Sequence, residues 1–164
     1  MTDVDKLTKK TLADGGVMAL LYFDVHGSSK DLLKQLSAGF IQKLLKEPGV
    51  IWAIGEIDEP VSQGELFSTS IEVKLLTTDF PSMVKLVALY SPFSIEILKP
   101  NEIKLPLDKA HELLLEVSTM AFDYKKYILE KLSKPEDFER YRKTLEQKVE
   151  LGKRILEKKE KKGD

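Results

Sequence analysis

Residues 17–26, Val-Met-Ala-Leu-Leu-Tyr-Phe-Asp-Val-His, constrain the fold more than any other stretch. Side chains alternate across a strand, so Val17, Ala19, Leu21, Phe23 and Val25 share one face, and Met18, Leu20 and Tyr22 share the other. Both faces stay apolar until Asp24. A strand of this kind sits in the middle of a sheet and is covered on both sides, because two-sided burial removes the polar alternation.

The flanking segments read as follows. Residues 1–14 predict a short helix or ordered arm, broken at Gly15-Gly16. Gly27-Ser28-Ser29 is a turn, and Ser28 or Ser29 caps a helix running to about Glu47. Leu32, Leu33, Leu36, Phe40, Ile41, Leu44 and Leu45 form its apolar stripe. Pro48-Gly49 stops it, and Val50–Ile57 is a second strand. Residues 58–64 read as a loop. Leu66–Leu76 is a half-buried antiparallel strand, with Phe67, Thr69, Ile71, Val73 and Leu75 facing one way. Thr78 or Asp79 caps a second helix carrying Pro81 in its first turn. Phe93–Leu98 is a fourth strand, and 102–105 is a short fifth strand or an extended connector.

The order β-α-β-β-α-β predicts an α+β fold: a ferredoxin-like antiparallel sheet with both helices on one face. It occupies residues 1–105. Residues 106–164 form a C-terminal helical extension. Asp108–Leu132 carries apolar residues three and four apart, with Asp108 as N-cap. Ser133-Lys134-Pro135-Glu136 has capping-box spacing and restarts a helix that runs to about Lys161. Phe138, Tyr141, Leu145, Val149, Gly152 and Leu156 give it a helix–helix seam. The plait leaves one apolar sheet face open, and a large exposed patch is an interface or a liability. The expected solution is mixed. The first C-terminal helix covers part of its own sheet or a partner's, and the remaining apolar surface drives dimer formation.

Composition narrows the function. The 164 residues contain no cysteine, which excludes disulfides, thiol nucleophiles and thiolate metal sites. A net charge of −1 gives no general attraction to nucleic acid or acidic membrane. That charge is unevenly divided: residues 1–122 hold 12 cations and 17 anions, and residues 123–164 hold 14 and 10. No apolar run is long enough to span a bilayer, and the start has no apolar signal core; a cytoplasmic protein is expected. Asn occurs once and Gln four times beside abundant Lys and Glu, the bias of thermophile and archaeal-like compositions.

Few residues carry chemistry. There is no Gly-rich phosphate loop. His111-Glu112 begins a zinc-protease-like pattern, but Leu115 stands where the second ligand would be needed. Lys153-Arg154 and Lys158–Lys162 make a basic end, interrupted by Glu157 and Glu160 and lacking aromatic residues, so a solvated helix end is expected and nucleic acid is not. The candidate site is the turn after the first strand. Asp24 and His26 point to one face there, Gly27 and Ser28 follow, and helix-start amides offer an anion site. Glu56 of the second strand is expected nearby. No catalytic constellation, cofactor or metal is expected from these residues.

Asp24-x-x-Gly27, the helix after it and Pro48-Gly49-Val50 entering a strand resemble ACT and RAM regulatory domains. The likeness covers about residues 17–99. His26 stands where a proline commonly precedes the ACT glycine. The resemblance implies a ferredoxin-like module that dimerises and binds amino acids at subunit edges. The expected function is therefore a non-enzymatic, self-associating binding or regulatory module. The alternative is an adaptor that recognises a protein through its C-terminal helices; an enzyme or metal-binding protein ranks below both.

Overall fold

The computed structural model describes residues 2–132 and 134–160; the side chains of 155–160 are outside the description. The fold is mixed α/β, with a five-stranded antiparallel sheet and five helices among the described residues. In chain order these are α1 (Asp3–Ala13), β1 (Val17–Gly27), α2 (Lys30–Leu45), β2 (Val50–Ile57), β3 (Val61–Gln63), β4 (Leu66–Thr77), α3 (Phe80–Tyr90), β5 (Ser94–Lys99), α4 (Leu107–Leu132) and α5 (Pro135–Glu160). The chain forms two compact units, Met1–Glu116 and Val117–Asp164.

The sheet belongs to the first unit. Its strand order is β2-β4-β1-β5, and β3 pairs with β4. The two-faced apolar strand β1 is central, between β4 and β5. Its odd-numbered face is the core. Val17, Ala19, Leu21 and Phe23 are buried against Ile71, Val73 and Leu75 of β4. Leu44 of α2 and Met83 and Leu86 of α3 join the same cluster, so both helices cover this face. A fully buried aliphatic side chain contributes about 1.5–3 kcal/mol, which makes this face the main source of stability. Phe40 stands edge-on between Phe23 and Tyr90. The Tyr90 hydroxyl donates to the Glu47 carboxylate. Burial, and then that carboxylate, push the Tyr90 pKa up to about 12.

Within the first unit, one end of the even-numbered face is covered. Met18 of β1 pairs with Leu76 of β4, and Leu76 with Trp52 of β2. Leu76 is nonetheless fully buried. The N-terminal helix α1 lies here: the Thr8 hydroxyl accepts from the Trp52 indole N–H at 3.0 Å, and Thr11 is buried. Gly16 permits this approach. A Cβ there would lie 2.7 Å from the carbonyl oxygens of Thr11 and Thr77. Beyond α1, the face opens onto Ile54, which is 62% exposed.

Several boundaries differ from the sequence reading. Residues 61–63 are a strand rather than loop. Val61, Ser62 and Gln63 pair with Ser68, Phe67 and Leu66, and Gly64 turns the hairpin with φ +63°. A two-residue hairpin needs a positive φ of this kind. Residues 102–105 are irregular, the connector alternative, held between Pro100 and Pro106, which lack N–H donors. α4 starts at Leu107, and Ala110 N–H donates to the Pro106 carbonyl. Asp108 therefore sits in the first turn and favours the helix through its dipole, not as N-cap. Within the first unit, the start of α4 is tied to α3 and its cap by Lys109–Asp79 at 3.1 Å and Lys85–Glu116 at 3.4 Å. Within the first unit, α1 lies on the sheet's other face. The proposed Ser133 cap, the Leu156 side chain, Lys161 and the Lys158–Lys162 cluster fall outside what is described.

Candidate functional site

The even-numbered face of β1 turns polar after Tyr22. Asp24 and His26 project from it, opposite Ser70 and Ser68 of β4. The Ser70 hydroxyl donates to the Asp24 carboxylate at 3.0 Å. On the other side of β4 the backbone leaves β2. Asp58 N–H donates to the Ser70 carbonyl at 3.0 Å, and the Thr69 hydroxyl donates to the Asp58 carbonyl at 2.6 Å. The β3 hairpin then forms a wall through Val61 and Gln63. These elements enclose a shallow cleft of about 290 Å³, lined by Asp24, His26, Asp58, Glu59, Ser68 and Ser70 together with that wall. Glu59 is 3.4 Å from Lys34 of α2.

The other expected residues lie elsewhere. Gly27 does not line the cleft; a Cβ there would stand 3.2 Å from Leu33 of α2. Ser28 is exposed, and the cap of α2 is Ser29, whose side chain accepts from Leu32 N–H at 3.2 Å. Leu33 N–H is taken by the Ser29 carbonyl. Glu56 pairs with Glu72 of β4, which pairs in turn with Tyr22. β4 thus separates Glu56 from β1. With neighbouring strands about 4.8 Å apart, Glu56 belongs to the next row of the open face. Burial, then the charges of Glu72 and Glu96, push the Tyr22 pKa up.

The cleft brings Asp24 and His26 together with two carboxylates and two hydroxyls that were not foreseen. Asp58 and Glu59 were missed because 58–64 carried no strand pattern long enough to read, the available signal being Gly64 between two alternating runs; Ser68 and Ser70 lie on a strand that was read, and only its pairing with β1 brings them to Asp24 and His26. Three carboxylates repel anions and suit an ammonium group with hydrogen-bonding neighbours. No group of three or more His, Asp or Glu side chains among the described residues is arranged to hold a metal ion. His111 is exposed, and Glu112 is 2.7 Å from Lys109. At the basic end, Arg154 is 3.5 Å from Glu150. No described helix is long and apolar enough to cross a membrane.

Fold and cleft together define an α+β protein with a helix-covered antiparallel sheet and a small acidic cleft beside its β3–β4 hairpin. The chain belongs to the MJ0538 family, whose model matches residues 18–153, from β1 into α5. No curated protein and no solved structure matches the chain.

Proposed function

We propose that this protein is a non-enzymatic binding or regulatory module built on a ferredoxin-like plait, with a C-terminal helical extension from residue 106. Support for the plait is the strand order β2-β4-β1-β5 with α2 and α3 on one face. The observation that carries the binding role is the convergence of Asp24, His26, Asp58 and Ser70 on one cleft. Its carboxylates and hydroxyls fit the ammonium group of a small ligand; a free amino acid, the class the ACT resemblance implies, binds with its own carboxylate turned away from Asp24 and Asp58, toward solvent or Lys34. Gly27 and Ser28 shape the strand end beside it, and Glu56 adds negative charge to the adjoining row. In this reading the module self-associates and works in the cytoplasm of a thermophile; the scarcity of Asn and Gln beside abundant Lys and Glu supports the thermophile part.

The test is a thermal-shift screen of the full chain with amino acids, nucleotides and divalent metals. An amino acid should raise the melting temperature, and Asp24→Ala should abolish that shift while leaving the unliganded protein folded. A flat screen, or a shift that survives Asp24→Ala, overturns the assignment.

A specific observation favours a second reading, an adaptor. In the second unit, Tyr124 is 67% exposed and Leu132 81%. A groove of about 310 Å³ lies between Phe122 and Lys126 of α4 and Arg142, Leu145 and Val149 of α5. Affinity capture from the native host should lose a specific partner on Tyr124→Glu if this reading holds; an unchanged partner set counts against it.

A further inference from the structure

A different cavity lies at the opposite end of β1. It measures about 470 Å³ and is built from four stretches of the first unit: the end of α1 with Gly15, the first residue of β1, the start of α3, and the irregular segment leading into α4. Leu12, Val17, Phe80, Ile103 and Leu105 supply its apolar lining. Pro81, Pro100 and Pro106 stiffen its walls. Gly15 contributes no side chain, and a Cβ there would meet nothing within 4 Å. The volume suits a small ligand.

Its charged lining has an excess of carboxylates. Asp14, Asp79, Glu102 and Asp108 line it against Lys104 and Lys109. Lys109 is committed to Asp79 at 3.1 Å and Glu112 at 2.7 Å, and Lys104 lies 3.8 Å from Glu102. Asp14 and Asp108 have no ion-pair partner among the described residues. The start of α3 offers no anion site. Pro81 has no N–H, Ser82 N–H donates to the Asp79 carboxylate, and Met83 N–H points to the Asp79 carbonyl.

We propose that this cavity binds a small monoamine with an aromatic or branched apolar body. The body lies among Leu12, Phe80, Ile103 and Leu105, and the ammonium group meets the carboxylates of Asp14 and Asp108. The apolar lining disfavours a bare metal ion or a polyamine, whose charges would be stranded away from carboxylates. The site is separate from the Asp24 cleft: seven strand residues at about 3.3 Å each place Asp24 more than about 20 Å from Val17.

Titration calorimetry on the full chain tests this with phenethylamine and, as an anion of similar shape, phenylacetate. Phenethylamine should bind one per chain, and phenylacetate at least about tenfold more weakly. The double variant Asp14→Asn, Asp108→Asn alters two exposed groups and should weaken phenethylamine by about tenfold. Ile103→Trp should abolish binding by filling the cavity, and Asp24→Ala should leave it unchanged. Equal affinity for both probes, no binding at millimolar concentration, or full affinity in the Asn double variant overturns the proposal. Sensitivity to Asp24→Ala overturns it too, by moving the amine to the other cleft.

Discussion

Ser37 is fully buried on α2, and its hydroxyl has no hydrogen-bond partner among the described residues. A buried hydroxyl left unpaired costs about 1–3 kcal/mol. Alanine fills almost the same space and is a better helix former by about 0.5 kcal/mol. Ser37→Ala is therefore expected to stabilise the fold by about 1 kcal/mol, read as a raised midpoint in guanidinium denaturation. An unchanged or lowered midpoint would mean that the hydroxyl bonds to its own helix backbone. Tyr90 shows the opposite arrangement. It is partly buried too, but its hydroxyl has the Glu47 carboxylate as acceptor. Residue identity did not separate these cases in advance. Ser37 lies four residues from Leu33 and from Ile41, within the apolar stripe of α2, so its burial follows the helical period; only the packing of α2 against the sheet shows its hydroxyl without a partner among the described residues.

At the scale of elements, Asp79 joins two of them. One carboxylate oxygen accepts from Ser82 N–H at 2.9 Å and caps α3; the other lies 3.1 Å from Lys109 of α4. Burial opposes ionisation of Asp79, but the Ser82 bonds and then Lys109 outweigh it and hold its pKa below the ordinary 3.8. Asp79→Ala should cost about 1–2 kcal/mol at pH 7, the range of a lost N-cap. The folded-state pKa is depressed, so this contribution is present above the unfolded value and is lost as pH falls through the folded value. The gap between wild type and Asp79→Ala should thus narrow as denaturation is moved from pH 7 to about pH 3. A gap that stays constant would show that the carboxylate's charge is not what matters. Asp79, Pro81 and β1 were legible because their signals are local: a cap three residues before its amide, a proline in a first turn, an alternation. The β3 hairpin and the covering role of α1 were not. β3 is three residues long, below the length at which alternation can be read. α1 acts on residues far along the chain, through Thr8 on Trp52, and no local pattern encodes a contact of that separation. The candidate site divides the same way. Asp24 and His26 were found from the strand that carries them, whereas Asp58 and Ser70 reach the cleft through pairing, which also places Glu56 in another row.

At the scale of the whole molecule, charge discriminates between the two surfaces open to the proposed self-association. The open sheet face presents Ile54 and Tyr22, but also Asp24, Glu56, Glu72 and Glu96 against Lys74. Two copies pressed together there would oppose like charges and desolvate carboxylates, which costs more than burying one isoleucine returns. The β5 edge avoids this. β5 pairs only with β1 among the described strands, so its outer N–H and C=O groups are unpaired. Phe93, Ile95 and Ile97 are 61, 43 and 44% exposed along it. Such an edge attracts another strand, and an antiparallel second copy would satisfy its backbone and cover its isoleucines without stacking the acidic faces. Light scattering at micromolar concentration should then report a dimer. Ile95→Lys should weaken it by at least about tenfold, while Ile54→Lys should leave it intact. A wild-type monomer would remove self-association from the proposed function, and dissociation by Ile54→Lys instead would move the interface to the open face despite its charge.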